Sequence, residues 1–338
     1  MNGMEHARSI LIIQTAFIGD VILATALIET LYRALPETKL DFLVRSGNEQ
    51  LLLDHPHLRN VLVFDKRNKY TNLVRLILKI RKSHYDYVIN VQRFATTGLM
   101  TALSGGKVTI GFDKNPLSFL FSKKVAHTLE GLHEIQRNHL LIESIVGKER
   151  SRPRLYPSPK QFEKVASFKS QPFITVSPAS VWFTKQYPVE KWIELLSVLP
   201  DRFKVFLLGA SNDRPLCDVI VTGTSNKNLV NLAGELSLLE SAALMKDAEM
   251  NYVNDSAPMH LASGMNAPVT AIFCSTVPAF GFGPLSDKSF IVETIEKLDC
   301  RPCGLHGHRS CPEGHFNCAL TIQKEQLLAT MVRVEPLL

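Results

Sequence analysis

The chain is 338 residues long, 45% hydrophobic and 21% charged, enough for two domains that each bury a core. It has no run of about 18 apolar residues, the minimum for a membrane span, and its first residues, MNGMEHARS, lack an apolar signal core. A cytoplasmic location is therefore expected, with the six cysteines largely reduced.

The net charge of +6 lies wholly in the first half: residues 1–150 hold 20 Lys+Arg against 14 Asp+Glu, and residues 151–338 hold 18 against 18. Much of the excess is local. Lys66, Arg67, Lys69, Arg75, Lys79, Arg81 and Lys82 follow one another with no acid between them. Such a run suits an anionic partner; its plainer reading is a solvated helix face, since Leu73, Leu76, Ile77 and Ile80 form an apolar stripe at helical spacing.

Short apolar runs alternating with amphipathic stretches predict parallel βαβ units. Strands are expected at residues 10–14, 39–44, 61–64, 87–91 and 107–111. Helices fall between them at 20–34, 50–54, 70–82 and 97–104, with a longer one over 134–146. Residues 147–171, with three prolines and many charges, read as an interdomain connection. The pattern then restarts, with strands at 173–177, 204–208, 229–231, 250–253 and 269–273. Helices are expected at 189–199, 238–246, 258–264 and 324–332. This is an α/β chain of two consecutive doubly wound domains.

The stretch MNYVNDSAPMHLASGMNAPVTAIF, residues 250–273, takes a strand through Asp255 into a helix that Ser256 can cap and Pro258 can start. Free N–H groups at such a turn make an anion site suited to pyrophosphate, with His260 one turn on. The alternative is a capped helix with a buried histidine. No GxxxxGK[ST] occurs, which argues against triphosphate hydrolysis. In ITVSPASVWFTKQYPVEKW, a loop carrying Thr184 and Lys185 precedes a Pro-initiated helix, and a lysine there can neutralise a departing diphosphate. In ILIIQTAFIGDV the single Gly19 cannot form a dinucleotide cradle, and the helix opens on Asp20. A carboxylate in that place repels phosphate and serves either as a general base or as a partner of the helix dipole. Finally, Cys300-x2-Cys303-x7-Cys311-x6-Cys318 suggests a structural Zn²⁺ knot or an iron–sulfur cluster, although the second pair is spread; reduced thiols or later disulfides are the alternatives.

Together these stretches resemble the ADP-heptose:lipopolysaccharide heptosyltransferases, glycosyltransferase family 9. The resemblance rests on TAFIGDVILATALIETL, YDYVINVQRFATTGLM, GFD, SPASVWFTKQYPVEKW, AGELSLLESAALMKDAEMNYVNDSAPMHLAS and the Cys-rich tail, in that order. It implies a GT-B fold of two Rossmann-like domains facing a cleft: an acceptor domain over 1–155, a nucleotide-sugar domain over 172–320, and a final helical segment, 321–338, returning to the first. It also implies inverting, metal-independent transfer of heptose from ADP-heptose to the lipopolysaccharide inner core, with any zinc structural.

By the resemblance, Asp20 is the base and Lys185 binds the donor, with Thr184 beside it touching phosphate. Asp255 contacts the donor sugar, Ser256, Ala257 and Pro258 hold its pyrophosphate, and His260 is the motif histidine. Asp213 falls near an acid on the ribose. The acceptor, an anionic lipid A–core oligosaccharide, would meet the basic first half, with Arg93, Lys123 and Lys124 as contacts and the residue 66–82 patch touching acceptor or the inner membrane surface. Nucleic acid is not an expected partner, because no RNA-binding motif or aromatic platform occurs. Two positions depart from the family pattern: Ala257 and Ala179 stand where it usually has glycine. The alternatives to heptose transfer are another nucleotide sugar, or a non-catalytic nucleotide-binding protein on the same scaffold.

Overall fold

The computed structural model describes residues 8–128 and 131–332. They form two compact units, divided between Tyr156 and Pro157.

In the first unit the strands are β1 (Ser9–Ile13), β2 (Lys39–Arg45), β3 (Asn60–Phe64), β4 (Tyr87–Asn90), β5 (Val108–Phe112) and β6 (Lys123–Val125). They lie in the order β3-β2-β1-β4-β5-β6, and every neighbouring pair is parallel. All five residues of β1 are buried, as expected of a central parallel strand covered on both faces. Helix Ile18–Ala34 is buried almost all round from Val21 to Leu31, so it is a core helix. Helix Lys69–Lys82 buries only Leu73, Leu76, Ile77 and Ile80, which pack with Leu11, Leu43, Phe64 and Val88.

The expected helix over 134–146 is broken into Glu134–Leu140 and Glu143–Val146. At the break Leu141 and Ile142 donate to Asn138 and His139, three residues back, which tightens the turn and redirects the axis. Continuous apolar spacing through His139-Leu140-Leu141-Ile142 hides that change.

The second unit opens with helix Pro159–Val165 inside the expected connection. Its strands are β7 (Phe173–Ser177), β8 (Lys204–Leu207), β9 (Leu229–Asn231), β10 (Met250–Asn254), β11 (Val269–Phe273) and β12 (Ser289–Glu293). The order β12-β11-β10-β7-β8-β9, all parallel, repeats the first sheet's connectivity. In each sheet the strand order reverses between the first and fourth strands, and a crevice at the carboxyl ends there is where doubly wound folds bind ligands. For the second unit that point lies between β7 and β10.

The final helix Lys324–Val332 packs against helix Val189–Ser197 and β12 of its own unit. The hydroxyl of Tyr252 donates to Leu327 O at 3.1 Å, and Thr270 pairs with Thr330 at 2.7 Å. Residues 333–338, the rest of the segment expected to return to the first domain, lie outside the described residues. Among the described residues no helix is long and apolar enough to cross a membrane.

Candidate active site

In the second unit, loops from the carboxyl ends of β7, β10 and β11 meet around Asp255. Asn254, the last residue of β10, accepts Tyr187 N–H at 3.0 Å and donates to Pro178 O at 2.7 Å. It thereby ties the loop after β7 to β10 at both ends of its amide. Asp255 Oδ2 then lies 2.7 Å from Lys185 Nζ and accepts the Thr276 hydroxyl at 2.6 Å. The two charged side chains are only 14% and 8% exposed, so their pairing is poorly screened and holds Lys185 in one place.

The turn that follows holds the expected anion site, with two corrections. Ser256 occupies the N-cap position of helix Ala257–Gly264, but its hydroxyl turns to Asn254 O at 3.4 Å and does not cap the helix. Pro258 has no N–H, so the expected phosphate contact through its amide is withdrawn. The donors that remain are the N–H groups of Ser256 and Ala257, beside the positive helix end. His260 is buried within this helix.

Thr184 also needs correction. It is 1% exposed, and its hydroxyl oxygen accepts Ser275 Oγ at 3.0 Å and His308 N–H at 2.8 Å. Thr184 N–H in turn donates to His308 O at 3.1 Å. A hydroxyl so enclosed cannot meet a phosphate; it anchors the loop that carries Lys185. The anchor comes from the Cys-rich segment, which Cys303 N–H also pins to Ser275 O at 2.8 Å.

Gly307 permits this close approach. Its φ is +76°, and a Cβ there would stand 2.9 Å from Thr184 Oγ1 and 3.1 Å from Lys185 Cγ. Gly307→Ala therefore combines left-handed strain of about 1–2 kcal/mol with a push on the Lys185 loop. Donor affinity measured calorimetrically should fall by about tenfold, the equivalent of some 1.4 kcal/mol.

Asp213 follows β8, where doubly wound folds place a ribose-binding acid. Its Oδ2 accepts Ala210 N–H at 2.8 Å.

The four cysteines of the tail line one cavity of about 140 Å³ together with Thr184 and Ser275. Cys300 Sγ lies 3.8 Å from His315 Nε2. Yet among the described residues no three Cys, His, Asp or Glu side chains are gathered as ligands of one ion. The donor chemistry suits zinc, but the expected Cys300–Cys303–Cys311–Cys318 set is not assembled. Cys318 is buried on the short helix Asn317–Leu320, while the other three are partly exposed. Burial, then the neighbouring Cys311, pushes the Cys318 thiol up to about 11, which keeps it protonated.

In the first unit, Asp20 is the third residue of helix Ile18–Ala34 and accepts Phe17 N–H at 3.2 Å. Its pKa is raised to about 6, chiefly by burial and next by Glu134; the Phe17 N–H and the Arg93 charge pull the other way. Arg93 is thus near enough for its charge to act on Asp20. The loop after β4 that carries it is fixed beside β1, because Gln92 Nε2 donates to Gln14 Oε1 and Asn115 Nδ2 donates to Gln92 O at 3.1 Å. The sequence offered no sign of this amide network.

Lys123 and Lys124 are exposed on the edge strand β6. Three strand spacings separate Lys124 from Ile13 at the end of β1, or about 14 Å. Both lysines therefore stand on the edge of the sheet, three strands away from β1.

Residues 73–312 match the family model described as Glycosyltransferase family 9 (heptosyltransferase). Lipopolysaccharide heptosyltransferase 1 of Pseudomonas aeruginosa is 22% identical over 294 residues, covering 80% of this chain and 80% of that protein. Among solved structures, a family 9 glycosyltransferase from Veillonella parvula superposes with a TM-score of 0.85 at 19% identity, covering 98% of both chains. The ADP-heptose LPS heptosyltransferase II of E. coli gives 0.80 at 20% identity, covering 97% of this chain and all of that one. At such identities the structural likeness establishes the fold, which is GT-B. The family model spans well over half of the sequence, and the chain belongs to glycosyltransferase family 9, the heptosyltransferases.

Proposed function

We propose that this protein transfers heptose from ADP-heptose to the inner core of lipopolysaccharide, with inversion and without a catalytic metal. The observation that carries the reading is the Lys185–Asp255–Thr276 cluster beside the two N–H groups opening helix Ala257–Gly264. A fixed cation and a helix end at a switch point suit a leaving diphosphate, and they supply the positive charge that a metal provides elsewhere. Asp213 retains Oδ1 for a ribose hydroxyl. Asp255, near the phosphates through Lys185, is the acid for a sugar hydroxyl.

The step is a single displacement. Asp20 takes the proton of the acceptor hydroxyl, whose oxygen forms a bond to the heptose C1. The bond from C1 to the β-phosphate oxygen breaks, and ADP leaves with its electron pair toward Lys185 and the helix end. Arg93, beside Asp20, meets an anionic group of the lipid-borne acceptor.

The pH dependence follows from Asp20. Its pKa is raised to about 6, so it is the free base at neutral pH and is protonated below that value. The expected kcat/KM profile falls about tenfold per pH unit below pH 6. Glu134→Gln removes a charge that raises the pKa and should move this limb to lower pH. A limb that ignores Glu134→Gln would mean that another group titrates.

Donor identity is tested by turnover with ADP-heptose, UDP-sugars and GDP-sugars in the presence of EDTA. ADP-heptose should be the preferred donor, at a rate unchanged by the chelator. A preference for a UDP- or GDP-sugar would overturn the heptose assignment, and strong EDTA inhibition the metal-independent one.

A further inference from the structure

Helix Lys69–Lys82 carries two apolar stripes, and the fold uses only one. Leu73, Leu76, Ile77 and Ile80 face the core. Tyr70, Val74 and Leu78, spaced four residues apart, form a second ridge and are 80%, 57% and 53% exposed. Around that ridge Lys66, Lys69, Arg75, Lys79 and Lys82 are all exposed, and among the described residues none forms an ion pair. Arg67 is held by Asp65 at 2.8 Å, and Arg81 Nη1 donates to Leu103 O at 3.1 Å. The Arg81 contact brings Leu103, 43% exposed, to the same helix.

A solvated helix face needs no apolar ridge, and a site for a soluble polyanion has no use for one. Apolar side chains interleaved with unpaired cations suit the boundary between headgroups and acyl chains of an anionic bilayer. We propose that helix Lys69–Lys82 docks this protein on an anionic phospholipid surface. Tyr70, Val74 and Leu78 enter the interface, while the lysines and Arg75 meet headgroup phosphates. The inference deepens the reading of a lipid-borne acceptor, since the surface that holds the enzyme would also present its substrate.

The test is co-sedimentation of the full chain with phosphatidylcholine vesicles, with and without phosphatidylglycerol. Binding should be at least about tenfold stronger with the anionic lipid and should weaken as salt is raised. The triple variant Tyr70→Ser, Val74→Ser, Leu78→Ser keeps every charge, yet should lose most of this binding while its turnover on a short soluble acceptor stays unchanged. The variant Arg75→Gln, Lys79→Gln, Lys82→Gln should lose the preference for anionic lipid. Equal binding to both vesicle types, or wild-type binding by the serine variant, would overturn the proposal. So would tighter binding to single-stranded RNA than to anionic vesicles. Turnover on the soluble acceptor reports separately on transfer, so a failure of that reading is seen on its own.

Discussion

Asp20→Asn should lower kcat by roughly 10³-fold while leaving ADP affinity within a few-fold, because a positioned general base contributes about 10²–10⁴ in rate. The asparagine keeps the size of the side chain, and its amide oxygen still accepts Phe17 N–H, as Asp20 Oδ2 does at 3.2 Å. What it loses is the ability to take a proton. The acid limb near pH 6 should disappear with it, since the group that titrates there is gone. Steady-state kinetics against pH, with ADP affinity measured by calorimetry, separates a lost base from a damaged fold. Near-normal turnover by this variant would remove Asp20 from the mechanism.

The second large effect is expected at Lys185. Lys185→Met removes a cation aimed at the leaving diphosphate, and a charge-assisted contact of that kind contributes about 1.5–3 kcal/mol, or roughly 10–10²-fold in donor affinity. It also leaves Asp255, 8% exposed, with the Thr276 hydroxyl as its remaining partner in the cluster. Breaking one side of a buried pair costs about 3–5 kcal/mol, so the melting temperature should fall as well. The two effects separate in the double variant Lys185→Met, Asp255→Asn. With no charge stranded, stability should largely return, while donor affinity stays low. Recovery of donor binding along with stability would show that Lys185 acts only as a partner of Asp255.

Much of the fold was legible because its central strands are short, mostly apolar runs. β1, β7, β10 and β11 are buried along their whole length, and alternation with helices forces parallel pairing. The elements that escaped are those without that signature. β6 is Lys-Lys-Val on a sheet edge, with both lysines exposed. β12 is another edge, where Ile291 is 46% exposed. Helix Arg214–Gly223 contains Val219, Ile220, Val221 and Thr222, β-branched residues whose propensity points away from a helix.

The site divides in the same way. Asp20, Lys185, Asp255 and Ser256 stand at strand-to-helix turns, where sequence pattern alone locates a polar group near a switch point. Thr276, Ser275, His308 and Gly307 act through contacts that span long stretches of chain; Thr184 and His308 are 124 residues apart. Nothing in local spacing announces such a contact. Thr184 accordingly reads as a ligand residue beside Lys185 when its hydroxyl is in fact enclosed. The cysteines show the converse: their spacing suggests a metal knot, and their side chains share a cavity without converging on one point.

The most direct test of the central claim is to incubate the protein with ADP-heptose and a short inner-core acceptor, following acceptor mass and released ADP together. The account predicts that the acceptor gains one heptose for each ADP released, and that Asp20→Asn abolishes both. ADP binding with no mass gain, or ADP release without transfer, would contradict it.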